Sequence, residues 1–309
     1  MSLVEKALKK LQDQRAVAPG AGSVAAVRFA SDALPDNIGV VPPPVVRAEA
    51  PVAPVPRNAK TLNVNLNVLR SAGLLCAEQE QRRLASEYRQ IKRPLIAAAV
   101  GRGTTQPVQN GRVIMVASAV PGEGKTFTSM NLAFNMALEK DTSVLLVDAD
   151  LPKPHISKVF GVSDEPGLLD ALMDESRDIE SLVLPTSVRG LSFLPAGKPS
   201  STATELLASE RMEAILTDLL RRDPRRIVLF DSSPLLLTTE SRALAGVVGQ
   251  VVIVVRAEST TRQAVLDAVA HVPEDKNVGL VLNQSRAEPV HSYYGYGDYY
   301  GEPERANAE

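Results

Sequence analysis

The feature that most constrains the fold of this chain is a glycine-rich turn between an apolar run and an amphipathic stretch. Residues 112–126 read RVIMVASAVPGEGKT. The apolar residues 113–116 predict a buried parallel strand, and the spacing of apolar residues in 127–140 predicts a helix. A strand, a turn that ends in Gly-Lys-Thr and a helix together form the context of a phosphate-binding loop. The alternative interpretation is a strand-to-helix turn that binds no ligand.

If the turn binds phosphate, its residue types assign the roles. The backbone N–H groups of Gly122, Glu123 and Gly124 would point at phosphate oxygens at a helix N-terminus. Lys125 would reach the β- and γ-phosphates, and the hydroxyl of Thr126 would hold Mg²⁺. The complete predicted nucleotide-binding segment is Pro121, Gly122, Glu123, Gly124, Lys125, Thr126 and Phe127.

Three aspartates follow two further predicted strands. The strand at 143–147 delivers Asp148 and Asp150, and the strand at 227–230 delivers Asp231. Ligands of open α/β sheets bind at the carboxyl ends of strands, and a spacing of two would point Asp148 and Asp150 the same way. Asp231 stands where the Mg²⁺ carboxylate of a phosphate-loop nucleotidase belongs. Each aspartate alone could cap a helix, but three at two strand ends favour a site.

The rest of the chain up to residue 285 completes the predicted fold class. Strands that alternate with helices predict an α/β fold, with a mostly parallel sheet covered by helices on both faces. Asn283 follows the last predicted strand, where its amide could contact a purine edge or could form a turn. The remaining predicted elements are strands at 191–194, 251–255 and 278–282 and helices at 205–221 and 260–271.

The N-terminal part of the chain differs in composition from the rest. Residues 1–15 predict a short amphipathic helix whose apolar stripe could be buried against lipid, another protein or its own domain. Residues 16–60 are rich in Pro and Ala and predict an extended, disordered linker. The predicted folded domain covers 61–285, and within it a helix over 68–93 is expected to end at Pro94. Its charged surface is typical of a solvated helix face or of a subunit contact.

The final stretch, residues 286–309, lacks helical and strand periodicity and predicts a disordered tail. One interpretation is a low-complexity tail without chemistry. The other is a set of phosphate acceptors, because a mobile cluster of phenols attached to an ATP site is what a self-phosphorylating enzyme requires. The candidate acceptors are Tyr293, Tyr294, Tyr296, Tyr299 and Tyr300.

Composition restricts the partners and the compartment. With 34 basic and 36 acidic residues, the net charge of −2 gives no reason to expect a nucleic-acid partner. The single Cys76 excludes an internal disulfide, and a structural zinc site is not expected without a cluster of Cys and His, so a reducing cytoplasm fits best. No apolar run is long enough to span a membrane, and the N-terminus lacks the apolar core of a signal peptide.

Taken together, these motifs resemble the bacterial tyrosine autokinase (BY-kinase) family of exopolysaccharide biosynthesis, in particular the cytoplasmic type found beside exosortase loci. The resemblance covers residues from about 62 to the C-terminus. It is carried by ASAVPGEGKT, by VLLVDADLPKP, which is similar to the extra Walker motif of the family, by VLFDSS at 228–233 and by the tyrosine cluster. The opening MSLVEKALKKL is also similar to that subgroup. The resemblance implies a P-loop fold related to the partition and septum-positioning ATPases.

The resemblance also implies an activity, cofactors and partners. It implies a protein-tyrosine autokinase that uses ATP and Mg²⁺, phosphorylates its own terminal tyrosines and regulates exopolysaccharide polymerisation and export. The implied partners are a membrane chain-length determinant protein, further copies of the chain for trans-phosphorylation and a tyrosine phosphatase. The implied location is the cytoplasm, at the inner face of the plasma membrane.

Residue roles follow from the matched motifs. Lys125 matches the phosphate lysine and Thr126 the Mg²⁺ hydroxyl of the family. Asp148 matches the carboxylate proposed to take the phenol proton. The acids that organise Mg²⁺ and the residue that contacts adenine match Asp150, Asp231 and Asn283.

The chain departs from the family's ring-assembly motif, E-x-x-R-x-x-R, and from related loops. The aligned positions are Ser86, Arg89 and Lys92, which leaves the oligomer size open. Ala119 replaces the first glycine of the standard loop, and Val120 stands where partition ATPases carry a lysine that reaches the opposite subunit. Two alternatives to a kinase stay open: an ATPase switch without kinase activity, and a scaffold whose nucleotide site gates a membrane polysaccharide-length protein.

Overall fold

The computed structural model describes residues 61–101 and 105–285. The predicted amphipathic helix at 1–15, the linker at 16–60 and the tail at 286–309 lie outside the described residues. Those elements and the domain bounds drawn from them stay predictions. Within the described ranges, no helix combines the length and the apolar character needed to cross a membrane.

The centre of the fold is a seven-stranded sheet. Its strands are β1 (Val113–Ser118), β2 (Ser143–Ala149), β3 (Leu184–Pro185), β4 (Leu191–Leu194), β5 (Arg226–Ser232), β6 (Gln250–Arg256) and β7 (Asn277–Asn283). They lie in the order β3-β4-β2-β5-β1-β6-β7, and only the short β3 runs antiparallel to its neighbour. The predicted mostly parallel sheet is confirmed.

Helices connect the strands and cover the sheet. They are α1 (Leu66–Ser71), α2 (Gln81–Val100), α3 (Lys125–Ala137), α4 (His155–Val159), α5 (Leu168–Met173), α6 (Ala203–Leu207), α7 (Glu210–Arg222), α8 (Thr239–Val247) and α9 (Arg262–Ala270). Short 3-10 helices lie at Glu78–Glu80 and Ile179–Leu182.

Alternate residues of the central strands are buried on opposite faces of the sheet. Met115 and Ala117 of β1 belong to an apolar cluster that includes residues of α5 to α9. Ile114 and Val116 belong to a second cluster, formed with residues of α1 to α4. A strand covered on both sides has no polar face, which is why these strands appear in the sequence as continuous apolar runs.

The single helix predicted over 68–93 is wrong, because two helices occupy this region. α1 ends at Ser71, shortly before Gly73 with its φ of +69°, and α2 begins after a separate 3-10 turn. A left-handed residue of this kind commonly follows the end of a helix, and glycine adopts it without steric cost.

The prediction that Pro94 ends the helix is also wrong. Pro94 lies inside α2, where a proline removes one backbone hydrogen bond and costs about 3 kcal/mol. The residues that follow it offset this cost, because Leu95 is wholly buried and Ile96 and Ala99 are buried beside it. Burying a leucine side chain alone contributes about 1.5–3 kcal/mol. The helix ends instead at Val100, followed by Gly101 with a φ of +69°.

The three positions aligned with the ring-assembly motif lie in α2, and one of them is not on the surface. Lys92 is buried, and its Nζ donates to the Asn135 carbonyl and pairs with Glu139 at 2.7 Å. Ser86 and Arg89 are exposed, and the Arg89 Nε donates to the Ala85 carbonyl of its own helix. Lys92 therefore ties α2 to the end of α3 and does not belong to the charged helix surface that the sequence predicted.

Other elements differ from expectation in their bounds. The helix predicted over 205–221 is divided into α6 and α7 at Ser209, whose hydroxyl accepts a hydrogen bond from the Met212 N–H and caps α7. β2 and β5 are longer than predicted, so that Asp148 and Asp231 are strand residues. α4, α5, α8 and β3 were not predicted from the sequence. Of these, α4, α5 and β3 have only two to six residues, too few for periodicity to reveal.

The position of Pro94 inside α2 leads to a stability test. We expect Leu95→Ala to lower the free energy of unfolding by about 2–5 kcal/mol, because it removes a wholly buried side chain. Arg93→Ala changes an exposed residue of the same turn and should cost less than about 0.5 kcal/mol. Urea denaturation measures both, and equal losses would contradict the packing of α2 after Pro94.

Candidate active site

The glycine-rich turn connects β1 to the N-terminus of α3. Gly122 and Gly124 have φ of +81° and +91°, and Gly124 is the residue that precedes the helix. A side chain at Gly124 would be strained at this φ, and its Cβ would also displace the side-chain amide of Asn283, so the position favours glycine. No side chain caps the helix, which leaves its first N–H groups free to receive an anion. The loop thus has the geometry of a phosphate cradle.

Lys125 begins α3 and turns its ammonium group towards β2. Its Nζ lies 3.1 Å from Asp150 Oδ2, and both side chains are largely buried. The other oxygen of Asp150 accepts a hydrogen bond from the Ser233 hydroxyl at 2.9 Å. A phosphate at the loop would therefore compete with Asp150 for the lysine.

Asp148 and Asp231 are direct neighbours on β2 and β5, and both are wholly buried. Asp148 Oδ2 accepts hydrogen bonds from the backbone N–H and the hydroxyl of Ser157, at 2.7 and 2.8 Å. Asp231 Oδ1 accepts one from the Ser129 hydroxyl at 2.8 Å. Within the described part of the chain, Asp148 Oδ1 and Asp231 Oδ2 have no hydrogen-bond partner.

Burial changes the proton affinity of both carboxyls. It raises the pKa of Asp148 to about 6, and hydrogen bonds from Ser157 act in the opposite direction. It raises the pKa of Asp231 to about 7, and the neighbouring charge of Asp148 adds to the effect, while Lys125 opposes it. Two buried carboxyls with raised pKa values and one unpaired oxygen each are arranged to receive a cation.

The residues predicted to hold Mg²⁺ were Thr126, Asp150 and Asp231. The unpaired oxygen of Asp231 fits this role, and the Thr126 hydroxyl lies close enough to lower the pKa of Asp231. Both oxygens of Asp150 are engaged by protein donors. Among residues 61–101 and 105–285, no three His, Cys, Asp or Glu side chains form a metal site by themselves. This arrangement fits Mg²⁺ that arrives with phosphate, since that ion usually combines one or two carboxylates with phosphate oxygens and water.

Glu123 and Asn283 were also predicted to contact the nucleotide, and they lie on different sides of the loop. The Glu123 side chain is buried beneath the loop, so only its backbone can face a phosphate. Asn283 Nδ2 donates to the Glu123 carbonyl at 2.9 Å, and Gln284 Nε2 donates to the Gly122 carbonyl at 3.1 Å. Asn283 therefore holds the loop from the end of β7. Its predicted contact with adenine stays a prediction.

The two ends of the predicted segment differ in exposure. Pro121 is exposed on the loop, and Phe127 is half-buried in α3. Neither makes a hydrogen bond that would specify a role, and a direct nucleotide contact stays a prediction for both.

The five candidate acceptor tyrosines lie outside the described residues. The sixth tyrosine of the chain, Tyr88, is buried in α2, where burial raises its pKa and its hydroxyl contacts Thr128. A phenol enclosed in this way is not presented to the site.

Sequence reasoning missed the residues that orient the acidic side chains. Ser129, Ser157 and Ser233 each donate to one of the three aspartates, across separations of 9 to 102 residues. Ser233 comes shortly after the strand predicted at 227–230, which places it near a strand end. Nothing in the sequence pairs the other two serines with their carboxylates.

Known proteins share this architecture. The AAA domain family matches residues 111–280, more than half of the chain. YwqD of Bacillus subtilis (strain 168), a tyrosine-protein kinase, is 30% identical over 223 residues, which are 71% of this chain and 89% of YwqD. The solved kinase domain of VpsO is 29% identical, with a TM-score of 0.54, and the match covers 68% of this chain and all of that domain.

A longer relative shares only part of its length with this chain. EpsB of Ralstonia nicotianae (strain ATCC BAA-1114 / GMI1000), named a putative tyrosine-protein kinase, is 35% identical over 192 residues. The match covers 61% of this chain and 25% of EpsB, so the chain spans about a quarter of that relative.

The raised pKa values of Asp148 and Asp231 predict how stability changes with pH. Both lie above the ordinary 3.8, so the folded protein holds protons that the unfolded chain releases between about pH 4 and 7. This stabilising contribution is complete below about pH 4 and is lost as the pH rises through about 7. We expect the melting temperature of Asp231→Asn, relative to that of wild type, to rise by several degrees between about pH 5 and pH 8.

Thermal unfolding monitored by dye fluorescence measures this gain. Asp164→Asn, a change of an exposed loop aspartate, should keep a constant difference from wild type over the same range. A constant difference for Asp231→Asn as well would contradict the raised pKa.

Proposed function

Because the chain belongs to the bacterial tyrosine-protein kinases with an AAA domain, we propose that it transfers the γ-phosphate of ATP to tyrosine. The observation that carries this proposal is the meeting of three features at one edge of the sheet. An uncapped helix N-terminus, a lysine and two buried carboxylates with unpaired oxygens lie together there. Phosphoryl transfer needs these groups, because most of its acceleration comes from positioning and charge neutralisation.

The loop and Lys125 hold the donor. Backbone N–H groups from Gly122 to Thr126 receive phosphate oxygens, and Lys125 exchanges Asp150 for the β- and γ-phosphates. Thr126 and Asp231 would hold Mg²⁺, with Asp150 organising its waters. When bound with the nucleotide, this ion supplies the positive charge that neutralises the transferring phosphoryl group. Asn283 contacts the adenine.

Asp148 is the base in this proposal. A tyrosine phenol has a pKa near roughly 10 and is a poor nucleophile until its proton is accepted. A carboxyl with a pKa of about 6 is ionised at neutral pH and is still a better proton acceptor than an ordinary aspartate. The two hydrogen bonds from Ser157 to Oδ2 fix the carboxylate and leave Oδ1 free to take the proton.

The acceptors in this proposal are the terminal tyrosines, from Tyr293 to Tyr300. The predicted tail would present them at high local concentration to its own site or to that of a neighbouring copy. Each phosphate adds nearly two negative charges, so several on one tail repel each other and the tail's own acidic residues. Phosphorylation would thereby release the tail and loosen an assembly, and a tyrosine phosphatase would restore it.

The cellular role extends the same proposal. The kinase acts in the cytoplasm and is recruited to the inner face of the plasma membrane by a chain-length determinant protein, so that it regulates exopolysaccharide polymerisation and export. The predicted amphipathic helix and proline-rich linker of residues 1–60 support this role, since they could connect the domain to a partner.

The test is to incubate the full chain with Mg·ATP and to map phosphotyrosine by mass spectrometry. We expect phosphate on the terminal tyrosines of wild type and at least about a 100-fold slower reaction in Lys125→Met, which removes the cation from the transferring phosphate. Lys140→Met changes an exposed lysine after α3 and should react like wild type. Equal labelling of the Lys125→Met tail, or label on residues other than tyrosine, would refute the proposal.

A further inference from the structure

The side chain of Glu123 has a place in the structure that a nucleotide contact does not explain. It is only 1% exposed and turns inwards, away from the face of the loop that a phosphate would occupy. Its Oε2 accepts a hydrogen bond from the Val120 N–H at 2.8 Å, across the loop. Its Oε1 accepts one from the hydroxyl of Thr260, and the Arg256 N–H lies 3.5 Å from the same oxygen. The carboxylate thus connects two sides of the loop to a different part of the chain.

Thr260 belongs to the turn between β6 and α9, and this turn is itself fixed. The Arg256 N–H donates to the Thr260 hydroxyl at 3.2 Å, and the Thr260 N–H donates back to the Arg256 carbonyl at 3.1 Å. The Ala257 N–H donates to the Asn283 carbonyl at 2.8 Å, which joins the turn to the end of β7. Glu123 is therefore anchored to a part of the structure that is rigid without the loop.

The Glu123 carboxylate, together with Ser118, also restrains the backbone of Val120. The Ser118 hydroxyl donates to the Val120 carbonyl at 2.9 Å, and Glu123 accepts from its N–H, so both backbone groups of this residue are held by side chains. A loop with two left-handed glycines would otherwise sample many conformations, and ordering it on binding costs free energy. Restraint before binding removes part of that cost.

We propose that Glu123 is a positioning residue that holds the phosphate loop ready for nucleotide, and that Thr260 is its anchor outside the loop. The inference rests on the proposed function only in taking the ligand to be a nucleotide. Without the Thr260 hydroxyl, Glu123 Oε1 keeps a single long contact. The negative charge of Glu123, close to where phosphates bind, is then stabilised by one hydrogen bond fewer. Loss of the anchor should weaken nucleotide binding for both reasons.

The variants that test this inference leave the loop itself unchanged. Thr260→Val keeps the size of the side chain and removes the hydroxyl, and Thr260→Ser restores the hydroxyl. The matched control is Thr186→Val, because the Thr186 hydroxyl also makes several hydrogen bonds, to Val188 and Leu191, at the opposite edge of the sheet. The Thr186→Val change should lower the melting temperature without changing the affinity for nucleotide.

The measurement is the Kd for Mg·ADP by titration calorimetry with the full chain, with circular dichroism to establish folding. We expect Thr260→Val to bind about tenfold more weakly, the size expected for one buried hydrogen bond to a charged group, and Thr260→Ser to bind within about twofold of wild type. In the kinase reaction, Thr260→Val should raise KM for ATP while kcat at saturating ATP stays within about threefold, because the reacting groups are untouched.

Three results would overturn the inference. The first is a folded Thr260→Val protein that binds Mg·ADP as tightly as wild type. The second is an equal loss of affinity in Thr186→Val, which would indicate a general loss of stability. The third is a wild-type protein that does not bind Mg·ADP. A wild type that binds Mg·ADP but phosphorylates no tyrosine would refute the proposed function and leave the positioning role in place.

Discussion

The parallel register between β2 and β5 places two aspartates side by side in the interior, and the chemistry of the site depends on this placement. Asp148 and Asp231 are paired residues of adjacent strands, and each keeps one oxygen without a hydrogen bond. Burial removes both carboxylates from water, which is the main reason that their pKa values lie above the ordinary value, and the charge of Asp148 raises the pKa of Asp231 further. An arrangement that opposes stability in this way is typical of a functional site.

The surrounding residues reduce the free-energy cost of burying these carboxylates without removing it. Three serines donate to the acidic cluster, one to each aspartate, and Lys125 supplies the nearest positive charge by pairing with Asp150. The phosphate loop lies at the same edge of the sheet and is held in shape from beneath by Glu123 and from the side by Asn283. The uncapped start of α3 and the two carboxylate oxygens without partners therefore lie at the same edge of the sheet.

The sequence predicted the parts of this structure that local patterns determine. Apolar runs located every strand of the sheet except β3, and the signal is continuous in the central strands because they are buried on both faces. The loop and the acidic residues were located because their positions relative to strand ends are fixed by the fold class. The clustering of Asp148, Asp150 and Asp231 agrees with this expectation, whereas their individual roles in catalysis stay predictions.

What the sequence could not provide depends on contacts between distant residues. Pro94 was taken as a helix end because its local preference is strong, yet the burial of Leu95 and Ile96 continues α2 past it. Lys92 was counted as part of a charged surface, although it is buried against the end of α3. The inward turn of Glu123 depends on Thr260, which is 137 residues away. Patterns within a short window carry no information about partners at such separations.

The most direct test of the central claim is whether the phosphate lost from ATP ends on tyrosine or in water. ADP, free phosphate and phosphotyrosine would be quantified in one reaction of the full chain with Mg·ATP. If the site is a phosphoryl donor to tyrosine, phosphotyrosine should account for most of the ADP formed while unmodified acceptor remains, and little free phosphate should appear. ADP matched by free phosphate, with no phosphotyrosine, would contradict the account and would identify an ATPase built on the same site.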